Sequence, residues 1–441
     1  MLSFHYEEKA IPPESYPQKY HFITFVPSLT LRQLASITPG RHEITIIDDL
    51  KPKPIDYNKN YDVVGISSLT SSINHAYKVA DKFRQKGSIV VMGGFHPSAL
   101  PEEAKQHADS VVIGQGYESW PNLIKDISEK KLKPFYRQEK HIKIENIPPP
   151  DFTNNTWGGD IMSIKPTSGC PVKCEFCSVS NQKFKNIFET RPIKQVINEI
   201  EQIEQKYIFF CDPSLTTNTN YTKQLFKGII GLNKKLINCY GNAHVLAEDT
   251  ELLNLARKAG CIEWHVGFDS VSQDSLNGIG KKTNIVKNYK KAVKNIQNNG
   301  MSLIGEFVLG FDSDKKDIFR KTVDLINEID INIPWLNILT PYPGTPLFEK
   351  FEKQNRLITK DWSKYTCLER NVVFHPKHMT ADELLNGTKD AYKELCSPKN
   401  LLKRIFQSTN LSINSFMHSY NRNINDAILR FKRERIYKNY Y

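Results

Sequence analysis

The chain has 441 residues, 39% of them hydrophobic and 24% charged, with 60 basic and 48 acidic side chains giving a net charge of +12. That length is too great for one ordinary domain and implies two or three, each able to bury its own core. No apolar run reaches bilayer length, eight cysteines scattered over so long a chain are no disulfide framework, and the acids and prolines of MLSFHYEEKAIPPE argue against a leader peptide, so a reduced cytoplasmic protein is expected.

Strand and helix signals alternate from Tyr20 onward. YHFITFVP reads as a strand, LTLRQLASIT as a helix, HEITIIDD and YDVVGISSL as strands, and INHAYKVADKFRQKG as a helix closed by Gly87. SIVVMGG and SVVIGQG add two more strands. Continuous apolar strands between helices predict a doubly wound, flavodoxin-like parallel sheet over residues 1–130, in which ligands sit beyond the carboxyl ends of the strands. Those ends carry Ser67, Ser68 and Thr70, then Gly93, Gly94 and His96, then Gly114, Gln115 and Gly116, small enough to let a large flat ligand approach the backbone. Residues 131–160 are polar, proline-rich and aperiodic, and read as a linker.

A second repeat of strand, loop and helix fills residues 161–370, with strands IMSIKP, KYIFFCD, LINCYGNA, CIEWHVGFDS, LIGEFVLGFD and WLNILTP. Repeated βα units predict a parallel barrel whose chemistry lies at the C-terminal strand ends. Directly after its first strand comes TSGCPVKCEFCS, placing Cys170, Cys174 and Cys177 in the spacing C-x3-C-x2-C. Three thiolates on one loop can hold a [4Fe-4S] cluster and leave one iron to a distant ligand or a small molecule. A structural zinc loop would require a fourth Cys or His at matching spacing, and the next cysteine, Cys211, instead ends an apolar strand.

The cysteine spacing, with Phe176 before the last thiol, resembles the radical SAM superfamily. The resemblance implies a partial, open (β/α)6 TIM-like barrel and S-adenosylmethionine on the fourth iron. It also implies a 5'-deoxyadenosyl radical as hydrogen abstractor and a one-electron donor of the flavodoxin or ferredoxin type. By the same resemblance Asp212 and Ser214 lie near the methionyl amine, Asp269 and Ser270 near the ribose, where relatives usually carry Glu-Ser, and Leu339, Thr340 and Tyr342 near the adenine. Each acid reads equally well as a helix N-cap.

VVMGGFHPSALPEEA and ADSVVIGQGYESWPNLI resemble the cobalamin-binding domain that precedes the cluster loop in one branch of that superfamily. The D-x-H-x-x-G signature that supplies a histidine to cobalt is absent, so the resemblance implies either cobalamin without a protein His ligand or a fold that lost its cofactor. The run TPYPGTPLFEKFEKQNRLITKDWSKYTCLERNVVFHPKHMTADELLNG resembles the subgroup containing bacteriochlorophyll ring cyclase, hopanoid methylases and archaeal lipid-modifying enzymes, with the lipid-modifying members nearest. Cobalamin-dependent methylation of an unactivated carbon on an apolar or lipid-like substrate is the implied reaction. Ring closure or carbon-carbon coupling is one alternative, and a non-catalytic cobalamin carrier or sensor is another.

Residues 371–441 form a helical extension ending in basic amphipathic sequence, AILRFKRERIYKNYY. Such a segment either lies on an anionic membrane surface or packs on the barrel with its basic face in water. No helix-turn-helix, zinc-finger or RNA-binding signature points to nucleic acid.

Overall fold

The computed structural model describes residues 2–4, 28–40, 42–48, 55–152, 160–181, 187–281, 283–368, 370–407, 411–413, 415–417, 419–420 and 423. The strand expected in YHFITFVP lies outside them.

The first sheet contains six parallel strands: β1 (Leu2–Phe4), β2 (Ile47–Asp48), β3 (Val63–Ser68), β4 (Ile89–Gly93), β5 (Ser110–Ile113) and β6 (Phe135–Arg137), in the order β2-β1-β3-β4-β5-β6. Alternation along each strand covers both faces. Val64, Ile66, Val90, Met92 and Val111 pack with the helix Ile73–Gln85, whose buried Ile73, Ala76, Tyr77, Ala80 and Phe83 follow helical spacing. Val91 and Val112 face the other way, into Trp120, Leu123 and Ile124 of the helix Ser119–Ser128. The doubly wound sheet is therefore present, with two departures from the sequence reading. HEITIIDD contributes only its two-residue β2, and the segment read as linker supplies β6, whose Phe135, Tyr136 and Arg137 pair with Val111, Val112 and Ile113. A three-residue edge strand is too short for a period-2 signal to show in sequence.

The second body carries β7 (Ile161–Ile164), the short pair β8 (Thr167–Ser168) and β9 (Glu189–Thr190), then β10 (Tyr207–Phe210), β11 (Lys235–Ile237), β12 (Cys239–Gly241), β13 (Glu263–Asp269), β14 (Ser302–Leu309) and β15 (Ile333–Ile338). All six expected strands are found. The third is split into β11 and β12 at Asn238, whose backbone is left-handed (φ 55°) and whose amide donates to the Phe210 carbonyl at 3.0 Å. The ladders run β7-β10-β11 and β12-β13-β14-β15, all parallel, joined by a bridge between Leu236 and Cys261. Among the described residues no ladder links β15 back to β7, so the barrel is open. Helices between the strands seal its outer wall around Phe226, Trp264, Phe268 and Phe307, all fully buried.

The chain after β15 ties the bodies together. Phe348, Trp362, Tyr365 and Val373 belong to the same apolar cluster as Val64 and Met92 of the first sheet. The Trp362 indole donates to Glu103 at 2.9 Å and lies edge-on to His96, centroids 5.1 Å apart. Burial of these side chains fixes the first sheet against the barrel; truncating an aromatic such as Trp362 to Ala costs about 3–5 kcal/mol in such settings.

Candidate active site

A cavity of about 520 Å³ lies where the strand ends of the first sheet meet the barrel. Ser67, Gly93, Gly94, Gly114, Gln115 and Gly116 line one side; Ser163, Lys165, Ser168, Gly169, Phe209 and Cys211 line the other. On the sheet side the walls are backbone and small groups. A Cβ on Gly94 (φ 97°) would sit 2.8 Å from the Ser68 carbonyl, and one on Gly114 (φ 103°) 2.7 Å from the Gln138 amide oxygen. Only glycine accommodates both the conformation and the contact.

Three residues expected at this ligand site do not line the cavity. The Ser68 hydroxyl hydrogen-bonds Ser72, Thr70 is 3.3 Å from His96 Nδ1, and His96, fully buried, holds Glu103 through Nε2 at 3.1 Å. His96 thus belongs to the inter-body network with Trp362. In its place the helix Leu29–Ser36 contributes Leu31, Gln33 and Leu34, and Tyr117 and Trp120 complete the wall. Their amphipathic pattern predicts burial in a core and carries no signal of a ligand.

On the barrel side the cavity reaches the root of the cysteine loop. β8 pairs antiparallel with β9, pinning both ends of that loop, and Gly169 turns the chain at φ 74° immediately before Cys170. The loop is docked at its middle as well: Glu175 N donates to the Ile279 carbonyl at 3.4 Å, and Leu347 N to that of Glu175 at 3.1 Å. Among the described residues no three His, Cys, Asp or Glu side chains converge on one ion. Burial pushes the Cys174 thiol up to about 12, and the nearby Lys281 ammonium draws it back.

Lys281, which no sequence signal marked, pairs with Asp269 at 2.5 Å. Asp269 has φ 60° and sits at a register shift in the β13–β14 ladder. Strain of this kind costs on the order of 1–3 kcal/mol and collects at functional sites. Lys281 takes up one oxygen of the Asp269 carboxylate, the group that the resemblance would place near the ribose. Ser270 Oγ accepts from Ser272 N at 3.1 Å, closing the turn that follows.

Asp212 is nearly fully buried and accepts from the Thr167 hydroxyl and amide. Burial raises its carboxyl to about 7 against those donors and the charge of Lys165. Among the described residues its Oδ2 is buried without a hydrogen-bond partner, an acceptor suited to an ammonium donor such as the methionyl amine. Ser214 Oγ lies 3.2 Å from Thr216 Oγ1 and accepts from Asn242 Nδ2 at 3.2 Å. Leu339 N donates to the Leu309 carbonyl, Thr340 Oγ1 to that of Ile338, and Thr345 Oγ1 to that of Tyr342. Tyr342 itself packs toward the first-sheet cluster, and Phe176 packs on Phe311, centroids 6.0 Å apart.

Sequence reasoning missed a polar array spanning four strands. His265 Nδ1 lies 3.1 Å from Asn238 Oδ1 and its Nε2 3.2 Å from Glu306, which also accepts from Asn337 Nδ2 at 2.6 Å. Because Asn238 Nδ2 donates to Phe210, its oxygen must face His265, so Nδ1 carries a proton. His265 and its partners lower the Glu306 carboxyl against the effect of burial. Tyr240 stacks on His265 at 4.0 Å, and Trp335 meets it edge-on at 5.4 Å. Among the described residues Lys165 is the only charged side chain lining the cavity; burial lowers its pKa, while Asp212 and Cys211 oppose that shift.

Three family models match the chain: the radical SAM superfamily over residues 164–326, a B12 binding domain over 25–124, and a domain of unknown function (DUF4070) over 345–433. Bacteriochlorophyllide d C-12(1)-methyltransferase of Chlorobaculum tepidum is 30% identical over 86% of this chain and 84% of its own length. Hopanoid C-2 methylase of Rhodopseudomonas palustris is 22% identical over 88% and 75%. The identity to the pigment methyltransferase thus exceeds that to the hopanoid enzyme. The cobalamin-dependent S-adenosylmethionine radical enzyme OxsB, solved with aqua-cobalamin and S-adenosylmethionine bound, superposes with a TM-score of 0.67 at 14% identity, covering 97% of this chain and 71% of that one; it supports the fold.

Proposed function

Because the chain belongs to the cobalamin-dependent methyltransferase branch of the radical SAM superfamily, we propose that it methylates an unactivated carbon of a large apolar substrate, a lipid or a lipid-like pigment. The observation that carries this reading is the single cavity shared by the glycine-walled strand ends and the root of the cysteine loop. When bound, the [4Fe-4S] cluster, S-adenosylmethionine and cobalamin supply the radical and the methyl carrier.

The chain's own residues bind and position. Cys170, Cys174 and Cys177 would hold the cluster, with Lys281 offsetting their negative charge. Asp212 orders Thr167 at the base of the loop and presents its free oxygen to the cosubstrate's amine. Gly93, Gly94, Gly114 and Gly116 would let the corrin approach the strand ends. Trp362 and its neighbours hold the first sheet against the barrel and so fix the two sides of the cavity relative to each other. An apolar substrate is supported by the pigment and hopanoid relatives and by the mostly uncharged cavity wall.

Deleting the host gene and comparing apolar extracts by mass spectrometry tests the substrate class. Loss of a species in favour of one lacking a single methyl group is expected. A change of two hydrogens would replace methyl transfer by ring closure or coupling. An unchanged apolar extract beside altered polar metabolites would overturn the lipid-like substrate.

A further inference from the structure

The C-terminal helices are turned inside out. In the helix Pro398–Gln407, Arg404 is buried, donating to Asn423 Oδ1 at 3.2 Å and to the Leu395 carbonyl at 2.6 Å, while Leu402 and Phe406 are 55% and 71% exposed. The following helical residues repeat the inversion. Ser415, Ser419 and Asn423, spaced four apart, are buried; Ile413, Met417 and Tyr420 are 82%, 47% and 38% exposed. Five of the eight large hydrophobic side chains exposed among the described residues fall between Leu402 and Tyr420. A helix packed on a soluble core shows the opposite polarity, so this face is built to meet an apolar phase.

Charge selects the phase. Residues 398–441 carry nine basic and two acidic side chains, +7 of the protein's net +12, with Arg430, Lys432, Arg433, Arg435 and Lys438 closing the chain. Exposed apolar side chains flanked by concentrated positive charge supply the two signals that reversible attachment to an anionic bilayer requires. Neither a second copy of so basic a segment nor the segment folded on itself would neutralise that charge.

We propose that the face formed by Leu402, Phe406, Ile413, Met417 and Tyr420 docks the enzyme on an anionic lipid membrane surface. This assigns a role to part of the domain of unknown function and rests on surface composition alone, independently of which substrate is methylated.

The test uses the full-length, cofactor-loaded chain and sedimentation with phosphatidylcholine vesicles prepared with or without phosphatidylglycerol. Binding about 10-fold tighter to the phosphatidylglycerol vesicles is expected, weakening as salt is raised. The double substitution Phe406→Glu and Ile413→Glu should remove that binding and leave iron, sulfide and cobalamin content unchanged. Equal binding by the variant, or no binding by the native chain, would overturn the proposal. So would a native dimer that the variant converts to monomer without vesicle binding, which would make the face a subunit interface. A variant that loses thermal stability while its vesicle binding is unaltered would place the chain's own terminal residues on the face and overturn it equally.

Discussion

The two walls of the cavity are made differently. The first-sheet wall is shape: glycines in left-handed backbone, small hydroxyls and apolar side chains, with no charged group among its described residues. The barrel side carries the charge: Lys165 lines the cavity, and the barrel further holds the Thr167–Asp212 contact at the loop root, the Asp269–Lys281 pair and the His265–Glu306 array. A bulky cofactor needs room and many weak contacts, whereas a reactive one needs fixed charges that do not reorganise. Changes to one wall should therefore act on one cofactor and spare the other.

The largest separation is expected from Cys170→Ala, Cys174→Ala and Cys177→Ala together. Iron and sulfide should fall to background and 5'-deoxyadenosine production should cease, while cobalamin still binds; retained iron would contradict the assignment. On the opposite wall, Gly94→Ala forces a Cβ against the Ser68 carbonyl. It should weaken cobalamin retention by at least about 10-fold and cost roughly 1–3 kcal/mol, with the cluster intact by visible absorption. Loss of both cofactors at folded yield would show that the walls are coupled.

Asp212→Asn sharpens the comparison through pH. The carboxyl is raised by burial to about 7 in the fold, against an ordinary value of 3.8, so the folded state binds the proton more tightly. Its contribution to stability is therefore fully present below pH 4 and is lost as pH rises toward 7, by ~4 kcal/mol at most. The variant should flatten this part of the apo protein's unfolding profile between those limits; an unchanged slope would remove Asp212 as its cause. Glu306→Gln, which keeps the shape but removes the charge facing His265, should lower the unfolding midpoint by the equivalent of about 1–3 kcal/mol near neutral pH. That loss should shrink on acidification, because the lowered carboxyl of Glu306 protonates in the native chain as well.

What sequence shows and hides follows the same division. The cysteine spacing, the six barrel strands and the glycines at the sheet ends are local patterns, and local patterns are legible. His96 sat in the same run as Gly93 and Gly94 yet turned into the inter-body seam, because orientation at a strand end depends on Glu103 and Trp362, the latter far along the chain. Lys281 and Glu306 gain meaning only from Asp269 and His265, both on β13, pairings that no spacing encodes. β6 was hidden in the proline-rich segment because three residues at a sheet edge carry too little pattern.

The central claim is that one chamber couples radical formation to methyl transfer. It is tested most directly by supplying the reduced, cofactor-loaded enzyme with S-adenosylmethionine and apolar extract from the deletion strain, then counting products. The account predicts S-adenosylhomocysteine and 5'-deoxyadenosine in equal amounts, each matching the methylated product. Formation of 5'-deoxyadenosine and product without S-adenosylhomocysteine would contradict it.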